Sequence, residues 1–118
     1  MTDQSPERCI ASDRVEGTVV YNPRGEKLGT IKHFMVEKKS GEAQYAIMEF
    51  GGLFGIGSDH YPIPWDMLDY DEKQEGYVVD IDESKLGDAP RYRDEAPAWT
   101  DVYAKSINSY YGIAYPYM

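Results

Sequence analysis

The stretch Thr18-Val19-Val20-Tyr21-Asn22-Pro23-Arg24-Gly25-Glu26-Lys27-Leu28-Gly29-Thr30-Ile31 decides the fold. Thr18 to Tyr21 is β-branched and aromatic. Asn22-Pro23-Arg24-Gly25 then puts Pro where a type I turn wants a fixed φ and Gly at the turn's last position, so a hairpin is predicted. Working outward, Leu28 to Lys38 reads as a long second strand, Lys39-Ser40-Gly41-Glu42 as another turn, and Ala43 to Phe50 as the returning strand. Gly51 to Gly57 carries four glycines in seven residues, a loop whose backbone adopts conformations that side chains forbid. His60 to Pro64 is a short strand whose pairing Pro62 and Pro64 limit; Trp65-Asp66-Met67-Leu68 follows, and Gly76 to Ile81 is the last strand. Ser12 to Gly17 reads as one helical turn or a tight loop, and Asp82 to Leu86 as a capped helical turn. Five or six short strands with little helix among them predict a mainly β protein, a small antiparallel β-barrel or strongly bent sheet.

From Arg91 the character changes. Pro97 to Tyr111 places apolar side chains at Trp99, Val102, Tyr103, Ile107, Tyr110 and Tyr111, which is helical spacing. Pro97 suits the first turn, Gly112 the position past the end, and Pro116 prevents resumption, so an amphipathic C-terminal helix is predicted. The chain therefore divides into an N-terminal arm over 1–11, a barrel over 12–92 and a tyrosine-rich helix and tail over 93–118.

Bulk properties narrow the function. The 118 residues suit one domain, large enough to bury about two-thirds of its unfolded surface without disulfides or structural metal. The longest stretches free of charge, Phe50 to Ser58 and Ser106 to Met118, fall short of the ~20 residues that a membrane span needs. The polar start has no apolar h-region, so a cytoplasmic address is expected, with association at the inner membrane surface still open. Cys9, the single cysteine, reads as a spectator in a polar arm. The net charge is -9, and residues 51 to 118 hold 5 basic against 13 acidic side chains. Nucleic-acid binding needs clustered Lys and Arg; only Lys38-Lys39 qualifies, as a solvated hairpin tip, so no direct nucleic-acid contact is expected. An acidic face can instead steer a basic protein partner.

The central strands lack clean alternation. In Thr30 to Lys38, Ile31, His33 and Met35 read as one face and Phe34 and Val36 as the other. In Ala43 to Phe50, Tyr45 and Ile47 oppose Ala46, Met48 and Phe50. Apolar residues on both faces imply a second layer over the barrel's exterior, supplied by the C-terminal helix and by a second subunit. A homodimer, its tail docked or exchanged, is expected.

Several short motifs in order resemble the PRC-barrel domain, known from the cytoplasmic part of the photosynthetic reaction centre H subunit and from the C-terminal half of a small-subunit ribosome maturation factor. They are Gly17 and Val20 before the Asn22 to Glu26 turn, Leu28-Gly29-Thr30-Ile31 after it, and Gly41 with Tyr45-Ala46-Ile47. The Gly51 to Gly57 loop, Ile63-Pro64-Trp65 with Leu68, and Lys85-Leu86 with Ala89-Pro90 complete the pattern. The resemblance implies a compact β-barrel, often paired, that works as an assembly or docking module and not as an enzyme. The chain lacks the H subunit's transmembrane helix and the maturation factor's N-terminal domain, which sets it apart from both.

Gly51 to Gly57 matches neither the dinucleotide nor the P-loop template, so a structural loop is the better reading. Its Leu53, Phe54 and Ile56 suit a partner contact. His33 and His60 are too few and too scattered for a metal site, and no cofactor is implied. Asp69, Asp71, Glu72, Asp80 and Asp82 read as solvated acids, and Ser58, Ser84, Ser106 and Ser109 have no His-Asp company in sequence. Trp65, Trp99, Tyr103, Ile107, Tyr110 and Tyr111 complete the expected interaction residues, because Tyr and Trp combine contact area with a polar tip. The first reading is thus a protein-interaction module with an unidentified partner. The rivals are a ligand-binding or enzymatic barrel with a cleft between barrel and tail, and a ribosome or RNA-processing accessory factor.

Overall fold

The computed structural model describes residues 8–50 and 59–117. Two helical turns, α1 (Ser12–Val15) and α2 (Glu83–Leu86), flank six strands: β1 (Val19–Tyr21), β2 (Lys27–Val36), β3 (Ala43–Phe50), β4 (Asp59–Pro64), β5 (Leu68–Asp71) and β6 (Gly76–Val79). The helix α3 (Asp101–Tyr111) follows. The strands form one sheet in the order β4-β3-β2-β1-β6-β5. Every pairing is antiparallel except β1 with β6, which is parallel, a departure from the all-antiparallel expectation. It arises because β6 returns through its hairpin with β5 alongside the first strand. β5 itself escaped the sequence reading, since Leu68-Asp69-Tyr70-Asp71 is half acidic.

The sheet has to curl. β4 and β5 lie at opposite edges, yet only the 3-10 turn Trp65–Met67 separates them in the chain. Five interstrand gaps in a flat sheet span about 24 Å, whereas the four peptide steps from Pro64 to Leu68 reach at most about 14 Å. Bulges supply the bend. Leu28 is an extra residue in β2 opposite β1, Lys32 an extra residue in β2 opposite β3, and Gln44 an extra residue in β3 opposite β2.

The Lys32 bulge corrects the face reading of β2. Ile31 lies across from Met48 but His33 across from Ile47, so Ile31 shares a face with Phe34 and not with His33 and Met35. That face is the inner one. Trp65 stands between Phe34 and Tyr77, at 5.7 and 5.5 Å between ring centroids, and with Val20, Ile31, Met48 and Val79 belongs to the core.

The turns follow the sequence. Asn22 Oδ1 accepts from the backbone N–H groups of Arg24 and Glu26, Gly25 N–H donates to Asn22 O at 2.9 Å, and Gly25 takes φ +83. Asp82 holds the N-cap position of α2, but its side chain makes no capping hydrogen bond, contrary to expectation. The outer edge of β4 is closed by a single bridge: His60 and Tyr92 exchange backbone hydrogen bonds at 2.8 and 3.1 Å, and Asp59 pairs with Arg93 at 3.1 Å and Arg91 at 3.6 Å.

α3 begins later than expected, at Asp101, because Thr100 and not Pro97 ends the extended segment: its Oγ1 accepts from Tyr103 N–H at 3.1 Å. Gly112 closes it in the left-handed conformation at φ +70. Its buried stripe is Ala104, Ile107, Asn108 and Tyr111, at i, i+3, i+4 and i+7, while Val102 faces solvent at 78% exposure. The helix docks on its own chain, and Tyr45, Ala46, Ile47 and Met48 are all buried in a single copy. No helix among the described residues is long and apolar enough to cross a membrane.

Close strand approach is testable at Gly29, where a Cβ would lie 2.2 Å from Glu49 O. Backbone cannot give way as a side-chain tip would. Gly29→Ala is expected to cost about 3 kcal/mol in urea unfolding, the upper end of overpacking penalties. Gly87→Ala, whose Cβ would meet only Ser84 O at 3.3 Å, should cost within about 0.5 kcal/mol.

Candidate functional site

Between the β2–β3 hairpin and α3 with the tail lies a cleft of about 430 Å³. Met35 and Val36 of β2 and Gln44 and Tyr45 of β3 form one wall. Gln44 is the bulged residue, and a bulge re-aims side chains, which is how the hairpin turns toward the helix. Trp99, Asp101 and Ala104 form the opposite wall, and Tyr115 and Tyr117 of the tail border the opening.

A buried amide holds these walls together. The Tyr45 hydroxyl donates to Asn108 Oδ1 at 2.5 Å, and Asn108 Nδ2 donates to Ala114 O at 3.2 Å. One side chain in the helix thus fixes both the sheet and the tail. The aromatic rings meet edge to face: Tyr45 with Trp99 at 5.4 Å, Trp99 with Tyr103 at 5.1 Å, and Tyr115 with Tyr117 at 5.6 Å. Each such pair adds about 0.5–1.5 kcal/mol beyond burial. The Tyr115 hydroxyl donates to Asp101 Oδ1 at 2.6 Å, closing the tail against the helix start.

The polar lining is sparse, two carboxylates against one ammonium and one amide besides the phenols. The carboxylate of Glu37 accepts from Ser40 N–H at 2.9 Å and Lys39 N–H at 3.4 Å, and these bonds hold its pKa below the usual carboxylate range. Lys38 is the one cation among the lining residues. Two of the phenols resist ionisation. Burial, seconded by Tyr117, pushes Tyr45 up to about 12, and the hydrogen bond to Asp101 pushes Tyr115 up to about 12.

A second cluster lies elsewhere on the sheet. His60 Nε2 is 3.4 Å from Glu49 Oε1 and 3.3 Å from Lys32 Nζ, its Nδ1 is 3.3 Å from Tyr92 O, and its ring stacks on Tyr92 at 5.2 Å. Glu49 lies on the neighbouring strand β3, Lys32 one strand further on β2, and Tyr92 on the bridging segment, so the cluster ties the β4 edge across the sheet. Burial first and then the charge of Lys32 hold His33 below its ordinary value. Among the described residues no three His, Cys, Asp or Glu side chains converge for a metal.

The sequence-predicted interaction residues separate. Leu53, Phe54 and Ile56 lie outside the described residues. Trp65 is half-buried between Phe34 and Tyr77 against the core, and Ile107 and Tyr111 are buried in the protomer's own core. Tyr103 is half-buried, and Tyr110 is half-buried with its hydroxyl donating to Lys85 O. Only Trp99 of that set lines the cleft. Tyr45 and Asp101 were missed as site residues; Tyr45 had a signal, an aromatic on the outer face of a strand, whereas the pairing of Asp101 with Tyr115 leaves no local trace.

The family model of the PRC-barrel domain matches residues 10–86. The chain belongs to the PRC-barrel family. Among solved structures, a candidate 16S ribosomal RNA processing protein, RimM, of Pseudomonas aeruginosa is 17% identical with a TM-score of 0.42. The match covers 70% of this chain and 50% of that one, so the chain spans half the length of that structure. No curated protein matches the chain. The PRC-barrel match ends at Leu86, so one wall of the cleft comes from the family barrel and the other from the appended helix and tail.

The tyrosine cluster predicts alkaline lability. Unfolded tyrosines ionise near 10, and folded Tyr45 and Tyr115 only near about 12, so the unfolded state sheds protons first. Their contribution is complete below about pH 10 and lost as pH rises toward about 12. Circular dichroism should lose its native signal across that window; a native signal that persists at about pH 12 would contradict the burial of Tyr45 and the bond from Tyr115 to Asp101.

Proposed function

We propose that this PRC-barrel protein is a non-catalytic docking module that seats a partner protein in the cleft between the β2–β3 hairpin and the tail. The observation that carries the reading is the lining itself, Trp99 and three tyrosines together with the apolar Met35 and Ala104. Such Tyr, Trp and Met surfaces are what interfaces enrich. The ordered titratable groups support it too: Glu37 and Asp101 are engaged by local donors, and the His60 cluster is tied into strand pairing, so neither is arranged as a general acid-base pair. The cleft's volume also falls in the range of small-ligand pockets, which is the observation favouring a metabolite-binding rival.

The protein is also proposed to pair with itself, through apolar side chains that a single copy leaves exposed, Val102 foremost. The motive is narrower than the sequence suggested, because α3 docks in cis and the central positions of β3 are already covered.

A photo-crosslinking residue placed at Val36, with Lys73 at a remote turn as control, tests the docking reading in the native host. A discrete adduct at Val36 that Trp99→Ala abolishes is expected; equal labelling from Lys73, or none from Val36, sinks it. Co-sedimentation of the adduct with ribosomal particles would identify the partner class as ribosomal. Light scattering at high micromolar concentration should show a dimer that Val102→Glu dissociates; a monomeric natural chain contradicts self-pairing.

A further inference from the structure

We propose that the cleft is an arginine-selective site: it takes the guanidinium of an arginine side chain presented by a partner protein. The inference rests on the docking reading and names what that surface recognises. Three features of the cleft converge on it.

The first is the aromatic lining. Trp99, Tyr45, Tyr115 and Tyr117 surround the space, and aromatic faces attract cations through their quadrupoles, Trp most of all. The second is charge. Glu37 and Asp101 line the cleft against the single Lys38, within a chain of net charge -9, so a cation is favoured both at contact and at longer range. The third is the kind of polar atom on offer. Asp101 Oδ1 is taken by Tyr115, but Oδ2 has no protein donor among the described residues. Gln44 adds an amide oxygen. These acceptors call for a cation that carries N–H groups.

That requirement separates the candidate cations. A quaternary ammonium would satisfy the rings but leave the acceptors without donors. A lysine ammonium has donors but no plane to stack. A guanidinium has both, five N–H donors in a flat fork that stacks on indole or phenol while reaching a carboxylate. The space suits one side chain rather than a folded element.

The two tryptophans make the test internal. Trp99 lines the cleft and Trp65 is packed between Phe34 and Tyr77, so the indole N–H resonance of Trp99 reports the site and that of Trp65 reports the fold. N-acetyl-arginine methylamide titrated into the full chain should shift the Trp99 signal saturably and leave Trp65 unmoved. The uncharged citrulline analogue and tetramethylammonium should bind at least tenfold more weakly, and the lysine analogue several-fold more weakly. Asp101→Asn should weaken the arginine probe about tenfold. Tyr115→Phe, which leaves Asp101 both oxygens, should bind it at least as well as the natural chain.

Equal binding of arginine and citrulline probes would overturn the inference, as would tighter binding of tetramethylammonium, or an unmoved Trp99 signal in a chain whose Trp65 signal stays native. Because no partner protein takes part, the two readings fail separately. Arginine binding without a Val36 adduct removes the docking partner and keeps the cation site; an adduct without arginine selectivity does the reverse.

Discussion

The structure depends on a short tether. Pro64 ends one edge strand and Leu68 begins the other, and the few residues between them cannot cross a flat six-stranded sheet. Curling is therefore a covalent constraint before it is a packing preference. The other irregularities fit around it: bulges at Leu28, Lys32 and Gln44 bend the long strands, and Trp65, on the tether itself, is drawn inside between Phe34 and Tyr77. The same turn that forces the curl thus adds an aromatic ring to the inner face.

Curvature leaves the convex face of β3 with apolar side chains that the interior cannot accommodate. Tyr45 resolves this by keeping its ring under α3 and its hydroxyl on Asn108. A helix buried through Ala104, Ile107, Asn108 and Tyr111 would dock through apolar contacts alone in many registers, but the amide of Asn108 has two ends to satisfy. A buried polar group without a partner costs about 1–3 kcal/mol, so the register that pairs both ends is selected. The cleft is the space left where the helix, pinned there, stands away from the β2–β3 hairpin.

Much of this was legible. The turns at Asn22 to Gly25 and Lys39 to Glu42 announced themselves because only certain residues tolerate those dihedrals, and β3 ran from Ala43 to Phe50 as read. The end of α3 was visible in Gly112, but its start was not: Pro97 is a good first-turn residue, and nothing local says that Thr100 will cap instead. The faces of β2 were misread because a bulge inserts one residue and reverses the parity of everything beyond it, an event decided by the partner strand. The site was least legible. Its walls come from residues some sixty positions apart, such as Tyr45 and Ala104, and aromatic composition cannot distinguish Trp65 or Tyr111, which pack against the core, from Trp99, which lines a cleft.

Charge then decides what that cleft can meet. A chain of net charge -9, with five basic against thirteen acidic residues beyond Phe50, repels polyanions and attracts basic surfaces. Long-range attraction to a basic surface fades beyond a Debye length of about 8 Å in physiological salt, so it brings partners near without choosing among them. Choice falls to the short-range contacts, where the acceptors Asp101 and Gln44 stand beside the rings of Trp99 and Tyr115. Of those four groups the barrel supplies only Gln44. Family membership accounts for the barrel, and the stretch beyond Leu86 brings Trp99, Asp101 and Tyr115 to the cleft.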